Sequence, residues 1–205
     1  MGDEEILSSG DFARCAQFHG HMCPGLAIGF QAAMTLMERL GVEKAPDEEL
    51  LAIVEADACG ADAIQVMTGC TFGKGNFIFK NYGKHAFSLM DRGKGKGIRV
   101  SLLPDVFESD PDYLSLSKKV QKDEASPKET ERFKELQQDR VQKILKADPE
   151  SLFKIEEISK DIPAKARIME SGICDICGEP TKVDLLRNRN GKRLCIPCAE
   201  GPEIF

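Results

Sequence analysis

Two CxxC pairs near the end of the chain constrain its fold more than any other feature. Cys174-x2-Cys177 is followed by seventeen residues and then by Cys195-x2-Cys198. This is the spacing of a four-thiolate zinc site, in which each CxxC turn presents two sulfurs to one ion and the intervening segment folds back as a β-hairpin. Zinc accepts tetrahedral thiolate ligation at little geometric cost, and four protein ligands leave no open coordination position. The tail therefore reads as a metal-built module that supplies structure, and the chemistry has to lie upstream. The alternative reading of the same spacing is two disulfides in a secreted module.

Secretion finds no support elsewhere in the sequence. Met1 to Asp11 is acidic and polar, unlike a signal peptide. Apolar runs fall short of the ~18 residues needed to cross a bilayer. Eight cysteines without a targeting segment imply a reducing, cytoplasmic setting and metal binding rather than disulfides. A formal charge of −6 argues against a general nucleic-acid binder.

Upstream of the tail the sequence divides into an apolar, glycine-rich stretch to about residue 105 and a charged, helical one from about 106 to 165. Together these form a first domain, 1–165, with the four-cysteine module at 166–205. Pro24 opens a long helix, because a proline at the first helical position forfeits no hydrogen bond. Leu26, Phe30, Ala33, Met34, Met37 and Leu40 recur at helical spacing, and Gly41 stops the helix. Leu50–Ala56 reads as a buried strand and Ala58–Met67 as a short helix ended by Gly69. Asn76–Asn81, Lys84–Met90 and Gly97–Leu103 read as strands joined by glycine turns, which favours an antiparallel meander. Ser126-Pro127-Lys128-Glu129 is a capping box, and Phe133, Leu136, Val141, Ile144 and Leu145 give the helix it starts an apolar stripe. That stripe is expected to bury against the core or a partner chain. Leu152–Ile162 is ambiguous between helix and strand. The fold class is α+β, an antiparallel or mixed sheet packed with helices.

The chemistry concentrates in Phe18-His19-Gly20-His21-Met22-Cys23-Pro24-Gly25. If this segment is extended, alternation puts His19, His21 and Cys23 on one side, in front of a helix N-terminus. Imidazole and thiolate together suit zinc or another transition metal. Cys59, at the start of the next helix, is the natural further ligand, and Asp57 or Asp62 is placed to orient a histidine N–H. If zinc retained a vacant position here, His19, His21 and Cys59 would be the catalytic candidates. The loop Thr68-Gly69-Cys70-Thr71-Phe72-Gly73-Lys74-Gly75-Asn76 offers Cys70, Thr71 and Lys74 as candidate contacts to an anion or pterin-like ligand cradled by backbone N–H groups. Its bland alternative is a tight connection into the next strand. Cys70 facing the pocket of Cys59 would also permit a thiol redox or metal-delivery role with Cys23. His85 reads as an ordinary strand residue.

The segments FHGHMCPGLAIGFQAAM, ADACGADAIQVMTGCTFGKGNF and NYGKHAF resemble the E-subunit family of molybdenum- or tungsten-dependent formylmethanofuran dehydrogenase. The likeness is close over the first ~105 residues and looser over the charged helix. The tail resembles zinc fingers of the treble-clef or DksA/TraR type, whose second CxxC opens a helix. With only Ala199–Phe205 left, including Gly201-Pro202, that helix is expected to be short or absent. The resemblance implies an α+β core with an auxiliary zinc module, a homodimer, association with a molybdo- or tungstoenzyme, and a pocket at His19, His21, Cys23 and Cys59. The chain has neither iron–sulfur ferredoxin spacing nor a molybdopterin-binding segment, so an accessory metal-binding role is expected rather than the dehydrogenase reaction itself. The competing class is a binding module. Lys182, Arg187, Arg189, Lys192 and Arg193 make the tail hairpin basic enough to meet nucleic acid or a protein partner.

Overall fold

The computed structural model describes residues 10–107, 111–159, 162–163, 165 and 169–201. Most of the polar N-terminal stretch and the residues after Gly201 lie outside them. The chain divides into two compact units, Met1–Lys165 and Ala166–Phe205.

In the first unit, helix α1 (Asp11–His19) precedes the long helix α2 (Pro24–Leu40), which ends at Gly41 as its sequence requires. Strand β1 (Leu50–Val54), helix α3 (Gly60–Thr68) and strand β2 (Phe77–Phe79) follow, then β3 (Ala86–Asp91) and β4 (Lys96–Leu102). Helices α4 (Pro111–Gln121), α5 (Pro127–Lys146) and α6 (Pro149–Leu152) lead to β5 (Phe153–Ile158). The sheet order is β2-β1-β3-β4-β5. Three of its four pairings are antiparallel, but β1 and β2 run parallel. The meander expectation is corrected here. α3 makes a crossover from β1 to β2, so the chain returns to the far side of β1 before β3 pairs with its near side. A parallel pair needs such a helical connection, whereas a short turn permits only the antiparallel one. The ambiguous stretch after Leu152 resolves as β5, an edge strand on β4.

α2 is the central strut. Leu26, Ile28 and Leu36 are among its fully buried side chains, each stabilising by about 2 kcal/mol relative to exposure. Phe12 of α1 meets Phe30 of α2 edge to face, with ring centroids 5.4 Å apart. α5 lays Leu136, Val141 and Ile144 into the core, so its stripe is covered within the chain. The Gln31 amide of α2 donates to the carbonyls of Ile144 and Leu145, at 3.0 and 2.8 Å, satisfying the last turn of α5. The capping box of α5 forms as its sequence dictates.

Glu55, at the end of β1, accepts two hydrogen bonds from Arg99 of β4, at 2.7 and 3.0 Å. The Glu55 side chain is only 10% exposed, and the Arg99 guanidinium holds its carboxyl below the ordinary glutamate value near 4.5. The contribution of the pair is therefore complete above that value and is lost as pH falls through the lower, folded-state one. Glu55→Gln is expected to cost about 1–2 kcal/mol at neutral pH and to flatten the acid limb below about pH 4.5. Urea denaturation across a pH series measures both effects.

In the second unit, β6 (Ser171–Ile173) pairs with β7 (Pro180–Lys182), and β8 (Arg187–Arg189) pairs with β9 (Lys192–Leu194). Asn190 and Gly191, both at positive φ, form the two-residue turn between β8 and β9. The first CxxC sits between β6 and β7, and Cys195 leads into helix α7 (Ile196–Glu200). That helix spans five residues, in keeping with the short helix expected there.

Candidate metal centres and the cleft beside them

The four tail cysteines converge, and their candidate ligand atoms all lie within 4.8 Å of one another. Cys177 Sγ is 3.7 Å from Cys195 Sγ. A tetrahedron with sulfurs about 2.3 Å from zinc has an edge of roughly 3.8 Å, so the spacing fits. Backbone N–H groups point at the sulfurs; that of Cys195 donates to Cys174 Sγ at 3.3 Å. These donors, led by the Cys195 N–H, bring Cys174 down to about 6. Crowding by the other sulfurs, Cys195 foremost, pushes Cys198 up to about 12. Four thiols this close cannot all carry charge without a cation among them, and a divalent ion supplies it.

The upstream cluster is built at the meeting of three helices. His19 is the last residue of α1, not part of an extended run as its spacing suggested, and Gly20 then turns the chain through a left-handed conformation. His21 and Cys23 follow, and Cys23 caps α2, its Sγ accepting the Leu26 N–H at 3.4 Å. The turn, rather than strand alternation, gathers the ligands. Candidate donor atoms of His19, His21 and Cys23 lie within 4.8 Å of one another. The two imidazoles stack at 4.4 Å between centroids, and His19 Nε2 is 3.9 Å from Cys23 Sγ. A shared zinc would set that nitrogen–sulfur distance at roughly 3.5 Å, so a small inward movement closes the site.

Asp62 of α3 fixes the histidine. His19 Nδ1–H donates to Asp62 Oδ2 at 2.7 Å, which leaves the Nε2 lone pair directed at the cluster. Asp57, the other carboxylate considered from the sequence, is exposed. Cys59 adjoins the group without being inside it. It precedes α3, and a Cβ placed on Gly25 would meet Cys59 Sγ at 3.6 Å and Cys23 Sγ at 3.9 Å. Burial pushes the Cys23 thiol up to about 11, with the Leu26 N–H opposing and Cys59 adding to the rise.

α3 approaches this site because its N-terminus touches α2 backbone to backbone. A Cβ on Gly29 would lie 2.3 Å from Gly60 Cα. Only glycine at both positions lets the helices come this close.

The Thr68–Asn76 loop requires a correction. Its amides are spent within the fold and offer no cradle for an anion. Cys70 N–H donates to Thr68 Oγ1, Thr71 N–H to Asn76 Oδ1, Phe72 N–H to Gln65 Oε1, Lys74 N–H to Thr71 Oγ1 and Gly75 N–H to Phe72 O. Asn76, fully buried, ties the loop to the carbonyls of Leu50 and Asp47. Cys70 is fully buried beyond the C-terminal end of α3, whereas Cys59 precedes its N-terminal end. Nine helical residues at about 1.5 Å each separate the two thiols by roughly 14 Å, so the Cys59–Cys70 redox pair cannot form. The side chains of Thr71 and Lys74 do line an open cleft, which they share with Phe18, Lys44 and Val66. His85 is exposed just before β3.

On the tail hairpin, Arg187 pairs with Leu194, Arg189 with Lys192 and Asn188 with Arg193. Cross-strand partners share a face and neighbours alternate, so Arg193 lies opposite Arg187, Arg189 and Lys192. The basic residues do not form one stripe, and a helix of five residues is too short to read a groove.

Among the described residues, no helix is long and apolar enough to cross a membrane. A protein of Archaeoglobus fulgidus named as a probable S-adenosyl-L-methionine-binding protein is 35% identical over 193 residues, covering 91% of this chain and 51% of the relative. The chain thus spans about half the length of that curated relative. The crystal structure of an FmdE-like protein of tungsten formylmethanofuran dehydrogenase, from Syntrophus aciditrophicus, superimposes with a TM-score of 0.63 at 22% identity, covering 100% of this chain and 96% of that one. At that identity the likeness establishes the fold. Residues 170–203 match the prokaryotic DksA/TraR C4-type zinc finger. Residues 18–154 match the family described as FmdE, molybdenum formylmethanofuran dehydrogenase operon, and span His19, Cys23, Cys59 and Asp62 together with most of the core, so the chain belongs to the FmdE family with a C4 zinc finger after it.

Proposed function

We propose that this protein is a metal-binding accessory protein of the FmdE type, holding a transition metal upstream in addition to the zinc of its tail. The observation that carries this reading is the His19–Asp62 hydrogen bond at 2.7 Å beside Cys23 and His21. A carboxylate that fixes one imidazole nitrogen while the other faces a thiol is the outer support of a metal-ligating histidine. His19 Nε2, His21 and Cys23 Sγ would hold the ion, with Cys59 beside Cys23 as the further ligand. When bound, the ion supplies Lewis acidity at any position the protein leaves open. The residues themselves have defined tasks. Asp62 sets the histidine tautomer, and the buried Cys23 gives up its proton on binding. Exposed His21 forms the solvent side of the site.

The family's operon places its members beside a molybdenum enzyme, which supports a partner complex of that kind. The Archaeoglobus relative is named for S-adenosyl-L-methionine. The reading here rests instead on imidazole and thiolate donors, which suit a metal. Metal content of protein purified without added metal tests it. The expected count is two ions per chain, falling to one in His19→Ala and in Cys23→Ser. A count of one in all three proteins would overturn the core site.

A further inference from the structure

We propose that the open cleft between the end of α1 and the outer face of α3 binds a small planar-ringed molecule carrying a carboxylate or phosphate. The cleft encloses about 620 Å³, within the ~300–1,000 Å³ range of small-molecule sites. Phe18, 60% exposed, stands in its wall and offers a ring face. Pro46 and Val66 make apolar lining, and Lys44 and Lys74 supply two cations. Among the described residues lining it there is no carboxylate, although acidic residues outnumber basic ones 34 to 28 along the chain. An aromatic face beside uncompensated ammonium groups selects a flat, anionic ligand.

The cleft is built rather than incidental. Gly69 holds φ of +74°, and a Cβ there would lie 2.4 Å from the Ala45 carbonyl oxygen, so the end of α3 presses onto the 44–46 segment. The Ala45 N–H donates to Thr68 O at 3.0 Å, fixing that contact. Lys74 Nζ donates to Asp47 O at 3.1 Å, which holds its ammonium in place. The site also neighbours the metal cluster. Phe18 adjoins His19 in sequence, and Val66 is one helical turn, about 6 Å, along α3 from Asp62. The cleft contains none of the core metal ligands, so its test stands apart from the count of ions per chain.

Two probe pairs test the proposal on the full chain: pterin-6-carboxylate against neutral pterin, and AMP against adenosine. The chain has no tryptophan, so pterin fluorescence is read directly, and calorimetry serves the nucleotide pair. At least one anionic probe is expected to bind saturably with Kd below about 1 mM and about tenfold more tightly than its neutral partner. Lys44→Glu is expected to weaken that binding about tenfold, and it leaves the Lys74–Asp47 tether intact. Phe18→Ala is expected to weaken it about fivefold through loss of the ring face. Failure of both anions to saturate, equal binding of charged and neutral probes, or wild-type binding by both variants would each overturn the proposal.

Discussion

Removing the ion from the tail is expected to unfold residues 169–201. The buried apolar core of this module among the described residues is Cys174, Leu194 and Cys195, with Cys198 and Ala199 packed against it. Three of those five side chains are themselves ligands. Ile173 and Ile176 remain more than half exposed, at 52% and 60%. Side chains so few cannot offset the conformational entropy of thirty-odd residues, at roughly 1–2 kcal/mol each for the backbone alone. A structural zinc contributes about 10–16 kcal/mol at neutral pH, which closes that gap. Chelation, or Cys195→Ser, is expected to release one ion per chain. It should also collapse the amide dispersion of Ile173, Arg189 and Leu194 in heteronuclear spectra and expose the tail to protease. The Asp175 clamp, accepting the Arg193 N–H at 2.6 Å while its own N–H donates to Arg193 O at 2.9 Å, should be lost with it. A dispersed tail spectrum in the metal-free protein would show that the sulfurs only pack.

Much of the frame was legible because its signals are local. Proline at the start and glycine at the end bracket α2, and the Ser126–Glu129 box marks α5, since caps are read from residues a few positions apart. The cysteine spacing encodes the tail site in the same local way. What escaped depended on contacts distant in sequence. The parallel β1–β2 pair looks like any short-linked strand pair until α3 is recognised as a crossover. Helix α1 went unread although Phe12, Cys15, Ala16 and His19 follow the i, i+3, i+4, i+7 pattern. Its nine residues are near the lower limit for a recognisable stripe. That omission also misdirected the site, because a helix ending at His19 followed by a left-handed glycine clusters the ligands by a different geometry from a strand. The donor types were legible, and so was the aspartate that orients one of them. That the amides of the Thr68–Asn76 loop are satisfied internally was not legible, because their acceptors include the side chains of Gln65 and buried Asn76.

Gly29→Ala separates two opposed effects cleanly. By helix propensity alone, alanine in the middle of α2 should stabilise the chain by up to about 1 kcal/mol. Packing predicts the reverse. The added methyl would sit 2.3 Å from Gly60 Cα and 2.4 Å from Gly60 O, and the obstacle is backbone, which cannot rotate aside. Gly60 is itself backed by the Phe87 ring on the β3 side, so α3 has little room to retreat. The helices must part, and the expected cost is about 3 kcal/mol or more, well beyond the propensity gain. Parting them also draws Asp62 and Cys59, carried by α3, away from His19 and Cys23. The same substitution should therefore lower the denaturation midpoint and the core metal content together. Gly73→Ala supplies the control, because a Cβ there meets no atom within 4 Å and should leave both readings near wild type. If Gly29→Ala instead raised the midpoint and kept two ions per chain, close contact between these helices would not be what assembles the site.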